Sequence, residues 1–191
     1  YFDRIYKNTV NVGGLLNFAY KLGDRSKIQL NNTLTNSSED QLFERTGTDI
    51  EQARYVQSNA MFYTSNRMLS SQLLGEHALT ARQIKLNWGL GYTRLNRDVP
   101  SYRRMLYLRN FDAPSEEPYS AVVPFGNPSP NFAGNFFADQ KEDFLTGRVD
   151  VTVPYFINKK KGNVKVGGMV EDKSRDFNAR LFGFISSFQT A

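Results

Sequence analysis

The chain has 191 residues, a formal net charge of +5 and no cysteine. Without cysteine it can form neither a disulfide framework nor a thiolate metal site. Hydrophobic residues make up 40% of the chain, yet no apolar run approaches the ~18 residues of a transmembrane helix. The sequence therefore excludes a membrane-spanning helix and leaves open a membrane-spanning strand. No signal peptide stands at Tyr1, which predicts that the chain begins after processing or within a longer protein.

Three segments alternate between apolar and polar residues with the period of a β-strand. Residues 9–22 carry the first pattern, and its even positions are Val10, Val12, Gly14, Leu16, Phe18, Tyr20 and Leu22. Residues 83–93 and 144–155 repeat it. These runs exceed the usual strand of about five or six residues and reach the roughly 9 to 11 that a tilted strand needs to cross a bilayer. Three weaker segments, 27–36, 61–73 and 164–175, bring the predicted count to six strands.

The connections between these strands are predicted to alternate in length. Residues 23–26, 75–77 and 158–163 have the composition of short polar turns. Residues 37–57 and 94–143 show no clean alternation and are predicted as long loops, and the second contains six of the seven prolines. This arrangement is typical of bacterial outer-membrane barrels, which place short turns on the periplasmic side and long loops outside the cell.

The predicted fold is all-β, an antiparallel up-and-down transmembrane barrel segment in the bacterial outer membrane. Closed membrane barrels begin at about eight strands, and an open sheet edge cannot face lipid. We therefore expect residues 1–191 to form part of a larger barrel, with 94–143 as a long extracellular loop. The alternative is that further strands are concealed within 94–143.

The residues also resemble a known family. Residues 70–77, 86–92 and 97–104 contain, in this order, a strand, a Gly-Glu-His turn, a Trp-bearing strand and an Arg-Asp-x-Pro motif. Together with a late segment that contains Gly167, Gly168, Lys173, Arg175, Phe177 and Arg180, they resemble the barrel of TonB-dependent outer-membrane receptors of the Bacteroidetes type.

The resemblance implies a 22-stranded barrel, plugged by an N-terminal domain, that imports a nutrient such as a siderophore, glycan or peptide. It implies as partners the rest of the barrel and its plug, outer-membrane lipid and lipopolysaccharide, the TonB complex, and potentially a surface lipoprotein. Neither a plug domain nor a TonB box is recognisable in this sequence. The segment is therefore expected to supply barrel wall and external binding surface.

The candidate ligand-binding residues are aromatic and arginine side chains in the predicted long loop. Such pairs suit a ligand with sugar or aromatic faces and anionic groups. The alternative is that the aromatics pack the loop onto itself and the barrel rim. The candidates are Arg97, Tyr102, Arg103, Arg104, Tyr107, Phe111 and Tyr119. The candidate arginines Arg97, Arg103 and Arg104, together with Arg109, could also bind the phosphates of lipopolysaccharide.

The two sides of the predicted strands suggest different environments. Tyr20, Trp88, Tyr92 and Tyr155 lie on apolar sides and are predicted to join the aromatic girdles at the membrane interfaces, although Trp88 falls mid-strand. The polar sides are predicted to face the lumen and to form a ladder of opposite charges between neighbouring strands. Its members are Lys85, Arg148, Asp150, Lys165, Glu171, Lys173 and Arg175.

Other functional classes find little support. His77, the single histidine, is predicted to lie in a turn with no companion ligand, so we expect no metal site, no cofactor and no catalytic triad. The basic residues are dispersed, which argues against nucleic-acid binding. Two alternatives remain open: a soluble or surface-exposed β-rich binding or adhesion module, and a passive porin.

Overall fold

The computed structural model describes residues 1–79, 84–158 and 160–187, which form one antiparallel sheet of seven strands. The strands are β1 (Phe2–Leu22), β2 (Ser26–Asp49), β3 (Arg54–Ala78), β4 (Lys85–Asn110), β5 (Ser120–Ala121), β6 (Ala133–Ile157) and β7 (Lys160–Gly183). The all-β, antiparallel, up-and-down prediction is thereby confirmed. Within the described residues no helix is long and apolar enough to cross a membrane.

Six long strands follow one another through the sheet in the order β1-β2-β3-β4-β6-β7, and the two-residue β5 pairs with the end of β4. The sheet is open, because among the described strands β1 pairs only with β2 and β7 only with β6. We call the end near residues 23–25 and 158 the turn end. The opposite end, near residues 50–53 and 111–132, is the loop end.

The predicted loops were wrong in extent, because the long strands run for 21 to 26 residues. Most of 37–57 belongs to β2 and β3, which are joined by residues 50–53 alone. Most of 94–143 belongs to β4 and β6, so only 111–132 connects them. The alternative was that further strands are concealed within 94–143; in the structure the only additional strand described there is the two-residue β5. These stretches carry polar residues on both sides, so hydrophobic periodicity does not reveal strands that are held by backbone hydrogen bonds.

Two of the predicted turns also differ from the structure. Residues 75–77 lie within β3, which continues to Ala78, and Lys160 already belongs to β7. Lys159 of the third predicted turn and Gln83 of the predicted strand 83–93 lie outside the described residues. The remaining turn, at Gly23, is present and uses a positive φ of 67° that favours glycine.

The strand register sorts the side chains onto two contrasting faces. One continuous row of cross-strand partners is Phe18, Leu30, Leu73, Leu90, Gly147 and Val170. The row beside it is Asn17, Asn31, Gln72, Gly91, Thr146 and Glu171. Because cross-strand partners share a face, we name these the apolar face and the polar face. All three apolar sides found in the sequence lie on the apolar face.

A β-bulge in β4 changes which side chains reach the polar face. The pairing of β4 with both β3 and β6 shifts around Pro100 and Ser101. Proline lacks the N–H that a ladder hydrogen bond needs, so a bulge is a suitable place for it inside a sheet. At this point β4 contains one residue more than the facing stretches of β3 and β6. Arg97 therefore lies on the polar face on one side of the bulge, and Tyr102 and Arg104 lie on it on the other.

Candidate functional site

A cavity with a volume of about 890 Å³ lies on the polar face near the loop end. Alternate residues of three neighbouring strands build its wall, because every second side chain of a strand points to the same face. The connection 111–132 closes one side with Val122, Asn131 and Phe132. The strand residues that line it include Gln41, Phe43, Arg45, Arg54, Val56, Ser58, Ala60, Phe62, Tyr102, Arg104, Leu106 and Leu108.

The structure separates the candidate ligand-binding residues into four groups, one of which is Arg97 in a separate, smaller cavity. Tyr102 and Arg104 line the cavity. Arg103 and Tyr107 pair with Met61 and Gln57 on the opposite face of the sheet. Five of the seven candidates therefore belong to β4 rather than to a loop: Arg97, Tyr102, Arg103, Arg104 and Tyr107. Arg109 is also a β4 residue, so the arginines suggested for lipopolysaccharide binding do not form a loop cluster.

Phe111 and Tyr119 lie in the connection and hold it against the sheet. The rings of Phe111 and Tyr55 are 4.7 Å apart. Arg109 lies between Tyr55 and Tyr119, with its guanidinium carbon 5.1 Å and 4.9 Å from their ring centroids. It also donates a hydrogen bond of 2.6 Å to the carbonyl oxygen of Ser115. These aromatics therefore pack the connection, which is the alternative that the sequence left open for them.

Several cavity residues were missed in the sequence, above all Phe43, Arg45 and Phe62. The sequence spacing was consistent with strands: Gln41, Phe43 and Arg45 are two residues apart, and Val56, Ala60 and Phe62 are separated by even numbers of residues, so each set would lie on one side of a strand. The intervening positions are not consistently polar or apolar, so the alternation did not stand out. The cavity requires three strands in register, which sequence spacing does not provide.

Arg45 is neutralised within the cavity wall. Its Nε and Nη2 each donate a hydrogen bond of 2.8 Å to the Asp3 carboxylate, across the β1–β2 pair. This pair lowers the pKa of Asp3 below its ordinary value of 3.8, chiefly through the hydrogen bonds from Arg45. Arg45 also lies 5.4 Å from the centroids of both Tyr1 and Phe43.

Arg54 and Arg104 have no carboxylate partner within the described part of the chain. Arg104 donates through Nη2 to the Tyr102 hydroxyl at 3.0 Å, and Arg54 donates through Nη1 to Gln52 Oε1 at 3.3 Å. The ring of Tyr102 meets that of Phe62 edge to face at 5.5 Å. The cavity thus combines an aromatic wall with three guanidinium groups, of which only that of Arg45 is paired with a carboxylate among the described residues.

A smaller cavity of about 220 Å³ adjoins the first and shares Phe62 with it. Arg97 lines it, together with Val99, Phe136 and Phe177. Further toward the turn end, the predicted charge ladder is present in part: Asp150, Lys165, Lys173 and Arg175 form ion pairs, whereas Lys85, Arg148 and Glu171 form none in the described part of the chain. Glu142, which is 5% exposed, pairs with Lys173 at 3.0 Å and Arg175 at 2.6 Å. Lys165 pairs with Asp150 at 3.3 Å.

His77 lies in β3 and not in a turn. The indole Nε1 of Trp88 donates to His77 Nε2 at 3.0 Å. Indole is only a donor, so the neutral imidazole carries its proton on Nδ1 and donates it to Ser26 Oγ, also at 3.0 Å. Among the described residues no group of three or more histidine, aspartate or glutamate side chains could hold a metal ion.

Comparison with known proteins assigns this chain to no family. No protein-family model matches it, and no curated protein matches its sequence. The functional argument consequently depends on the arrangement of the chain's own residues.

Proposed function

We propose that this chain forms part of the wall and the external binding surface of a TonB-dependent outer-membrane transporter, which imports a nutrient into the periplasm. The observation that carries the proposal is a band of exposed apolar side chains that crosses all six long strands on one face. Val12, Val149 and Val170 in this band are 62%, 48% and 70% exposed. Soluble proteins rarely expose a contiguous apolar surface of this extent.

The border of this band runs obliquely across the sheet. From Val10 in β1, successive cross-strand partners lead to Asn178 in β7. The last apolar residue of β7 on this face before that point is Val170, eight residues earlier. The last band residues toward the loop end are Val10, Leu34, Leu69, Tyr92, Leu145 and Val170. The border therefore shifts toward the turn end from β1 to β7.

Strand tilt explains this oblique border. A shift of eight residues over five strand pairs corresponds to a tilt of about 45 to 50°, given about 3.4 Å per residue and about 4.8 Å between strands. Transmembrane barrel strands tilt by roughly 35 to 45°, so a membrane plane must cross neighbouring strands at shifting registers.

Aromatic side chains near both borders of the band support a membrane position. Tyr20, Trp88 and Tyr155 lie near the turn end. Trp88 is the fourth residue of β4, so the mid-strand position expected from the sequence was wrong. At the other border, the Tyr92 hydroxyl donates to Asp143 at 2.6 Å, and Asp143 pairs with Arg94 at 2.8 Å. Tyrosine and tryptophan favour such interfaces.

The open edges of β1 and β7 support a larger barrel. Each presents a long row of backbone groups with no partner among the described strands, and lipid cannot satisfy these groups. In the proposed protein, further strands pair with both edges. The resemblance of 70–77, 86–92 and 97–104 to TonB-dependent receptors favours a plugged transporter over a passive porin.

Membrane fractionation tests the proposal. An antibody against residues 111–132 should detect a polypeptide several times the 21.8 kDa of this chain in outer membranes, released only by detergent. A 21.8 kDa species in the soluble fraction would contradict the proposal and favour a small binding module. For transport, solute uptake into cells should stop when a protonophore removes the energy supply, whereas diffusion through a porin should continue.

A further inference from the structure

The cavity of about 890 Å³ has a chemical character that narrows its ligand class. We propose that it binds an organic anion with a flat apolar ring, whose anionic group meets Arg54 and Arg104. This inference deepens the proposed function, since import begins with capture of the ligand at the external surface.

The charge of the cavity favours an anion. Arg45 is already paired with Asp3. Asp49, the one acidic residue that lines the cavity, accepts a hydrogen bond from the backbone N–H of Gln52 through Oδ1 at 3.2 Å. In the described part of the chain Arg54 and Arg104 form no ion pair, although Asp49 is the cross-strand partner of Arg54. A guanidinium fork matches a carboxylate or phosphate in two parallel hydrogen bonds.

Arg104 is held in position for such a contact. Its hydrogen bond to the Tyr102 hydroxyl leaves other N–H groups of the guanidinium available. Tyr102 is held in turn by its edge-to-face contact with Phe62. A preorganised arginine loses less conformational entropy on binding than a mobile one.

The lining of the cavity favours an apolar ring over a neutral sugar. Val56 and Ala60, at 7% and 8% exposure, are the most buried side chains there, and Leu106 and Leu108 lie on the neighbouring strand. Sugar hydroxyls placed against these side chains would lose water without gaining partners. Among the polar lining residues, Gln52 and Asn131 are exposed, and Gln41 and Ser58 are half-buried on β2 and β3.

Matched small probes test the inference on the full-length protein in detergent. Indole-3-acetate, neutral indole-3-acetamide and the sugar cellotetraose are compared by equilibrium dialysis at up to millimolar concentration. We expect the acetate to bind about tenfold more tightly than the amide, because only the acetate can form charge-assisted hydrogen bonds. We expect no binding of cellotetraose.

Variants locate the site. Arg54→Gln and Arg104→Gln should each weaken acetate binding by about tenfold and leave amide binding unchanged. The matched control is Arg103→Gln, one residue away on the opposite face of β4, which should bind as the unaltered protein does. Equal binding of acetate and amide, tight binding of cellotetraose, an equal effect of R103Q, or no acetate binding by the folded protein would each overturn the inference.

The outcomes separate this inference from the proposed function. If the protein fractionates with outer membranes but shows no preference for the anion, the ligand assignment alone fails. If the anion binds as expected to a protein that is soluble without detergent, the transporter proposal fails and the binding site remains.

Discussion

Gly75 and Trp88 show how a single small residue permits a contact at the turn end of the apolar face. They are direct cross-strand partners of β3 and β4. A Cβ built on Gly75 would overlap the indole ring of Trp88, which lies across the glycine and reaches His77. Glycine at this position therefore allows the ring to cover the backbone and to donate its hydrogen bond.

We predict that Gly75→Ala lowers the free energy of unfolding by about 1 to 3 kcal/mol, the usual cost of overpacking. Urea unfolding of both variants in detergent, followed by the circular dichroism of the sheet, measures the change. Gly14→Ala is the matched control, because Gly14 lies on the same face with nothing within 4 Å of a built Cβ. Equal stability of the two variants would contradict this packing role for Gly75.

The Asp3–Arg45 pair gives a pH-dependent link between the loop ends of β1 and β2. Because the pKa of Asp3 is lowered in the folded protein, the stabilisation is present above the ordinary pKa of 3.8. It is lost as the pH falls through the lowered value. We predict that a carbon-13 NMR titration of the Asp3 carboxyl group gives a midpoint below 3.8, and that Arg45→Gln moves it back toward 3.8. An unchanged midpoint in the variant would show that Arg45 does not cause the shift.

At the scale of elements, the bulge at Pro100 and Ser101 determines the composition of the cavity. With the bulge, Phe62 pairs with Tyr102 and Ala60 with Arg104. Without it, the register nearer the turn end would continue and place Ser101 opposite Phe62. Arg103 would then reach the polar face in place of Arg104.

Engineered disulfides can distinguish these registers, because the chain contains no cysteine of its own. We predict that the double variant F62C/Y102C forms an intramolecular disulfide under mild oxidation, since direct antiparallel partners have Cα atoms about 4.5 to 5.5 Å apart. F62C/S101C is the control and should remain mostly reduced. The opposite result, seen on a non-reducing gel, would show that β4 is regular here.

At the scale of the whole molecule, the two faces of one sheet are expected to meet different solvents. Val149 lies within the apolar band and Thr152 lies on the polar face of the same strand, β6. If the band contacts lipid, a charge is costly on the first face and tolerated on the second. In a water-soluble protein, a charge at the exposed Val149 or at the half-buried Thr152 on the polar face would have little effect.

We predict that Val149→Arg lowers the free energy of unfolding in lipid vesicles by about 2 to 4 kcal/mol. Thr152→Glu should change it by less than about 1 kcal/mol, because this face is hydrated and the cross-strand partners of Thr152 are Lys85 and Lys165, which carry the opposite charge. Urea titration of both variants measures the difference. Equal effects would mean that the apolar band does not face lipid, and would contradict the membrane position of the sheet.

Residue patterns predicted the fold class but not the strand lengths. The alternation around Phe18, Trp88 and Val149 identified strands and their apolar sides, because period two is a local property of extended backbone. Glu39, Tyr102 and Phe136 lie in strands where neither side is uniformly apolar, so the same reasoning placed them in loops. Backbone pairing extends such strands irrespective of their side-chain pattern.

For the candidate site, too, the sequence indicated part of the answer and the structure supplied the rest. Arginine and aromatic residue types near 97–109 indicated Tyr102 and Arg104, but their companions Phe43, Arg45, Arg54 and Phe62 come from two other strands. Phe111 and Tyr119 were indicated by the same composition, and in the structure they pack the connection against the sheet. Residue type alone does not distinguish a ligand contact from a packing contact, because both use aromatic faces and guanidinium groups.

The sequence by itself determined that this protein is all-β, with up-and-down strands, three of which have a clear apolar side. Only the tertiary structure decided that these apolar sides share one face, that the band border is oblique, and which side chains surround the cavity. The physical reason is that alternation is set within each strand, whereas the relative position of strands is set by register and by the bulge at Pro100 and Ser101. A shift of one residue there would exchange the faces of Arg103 and Arg104.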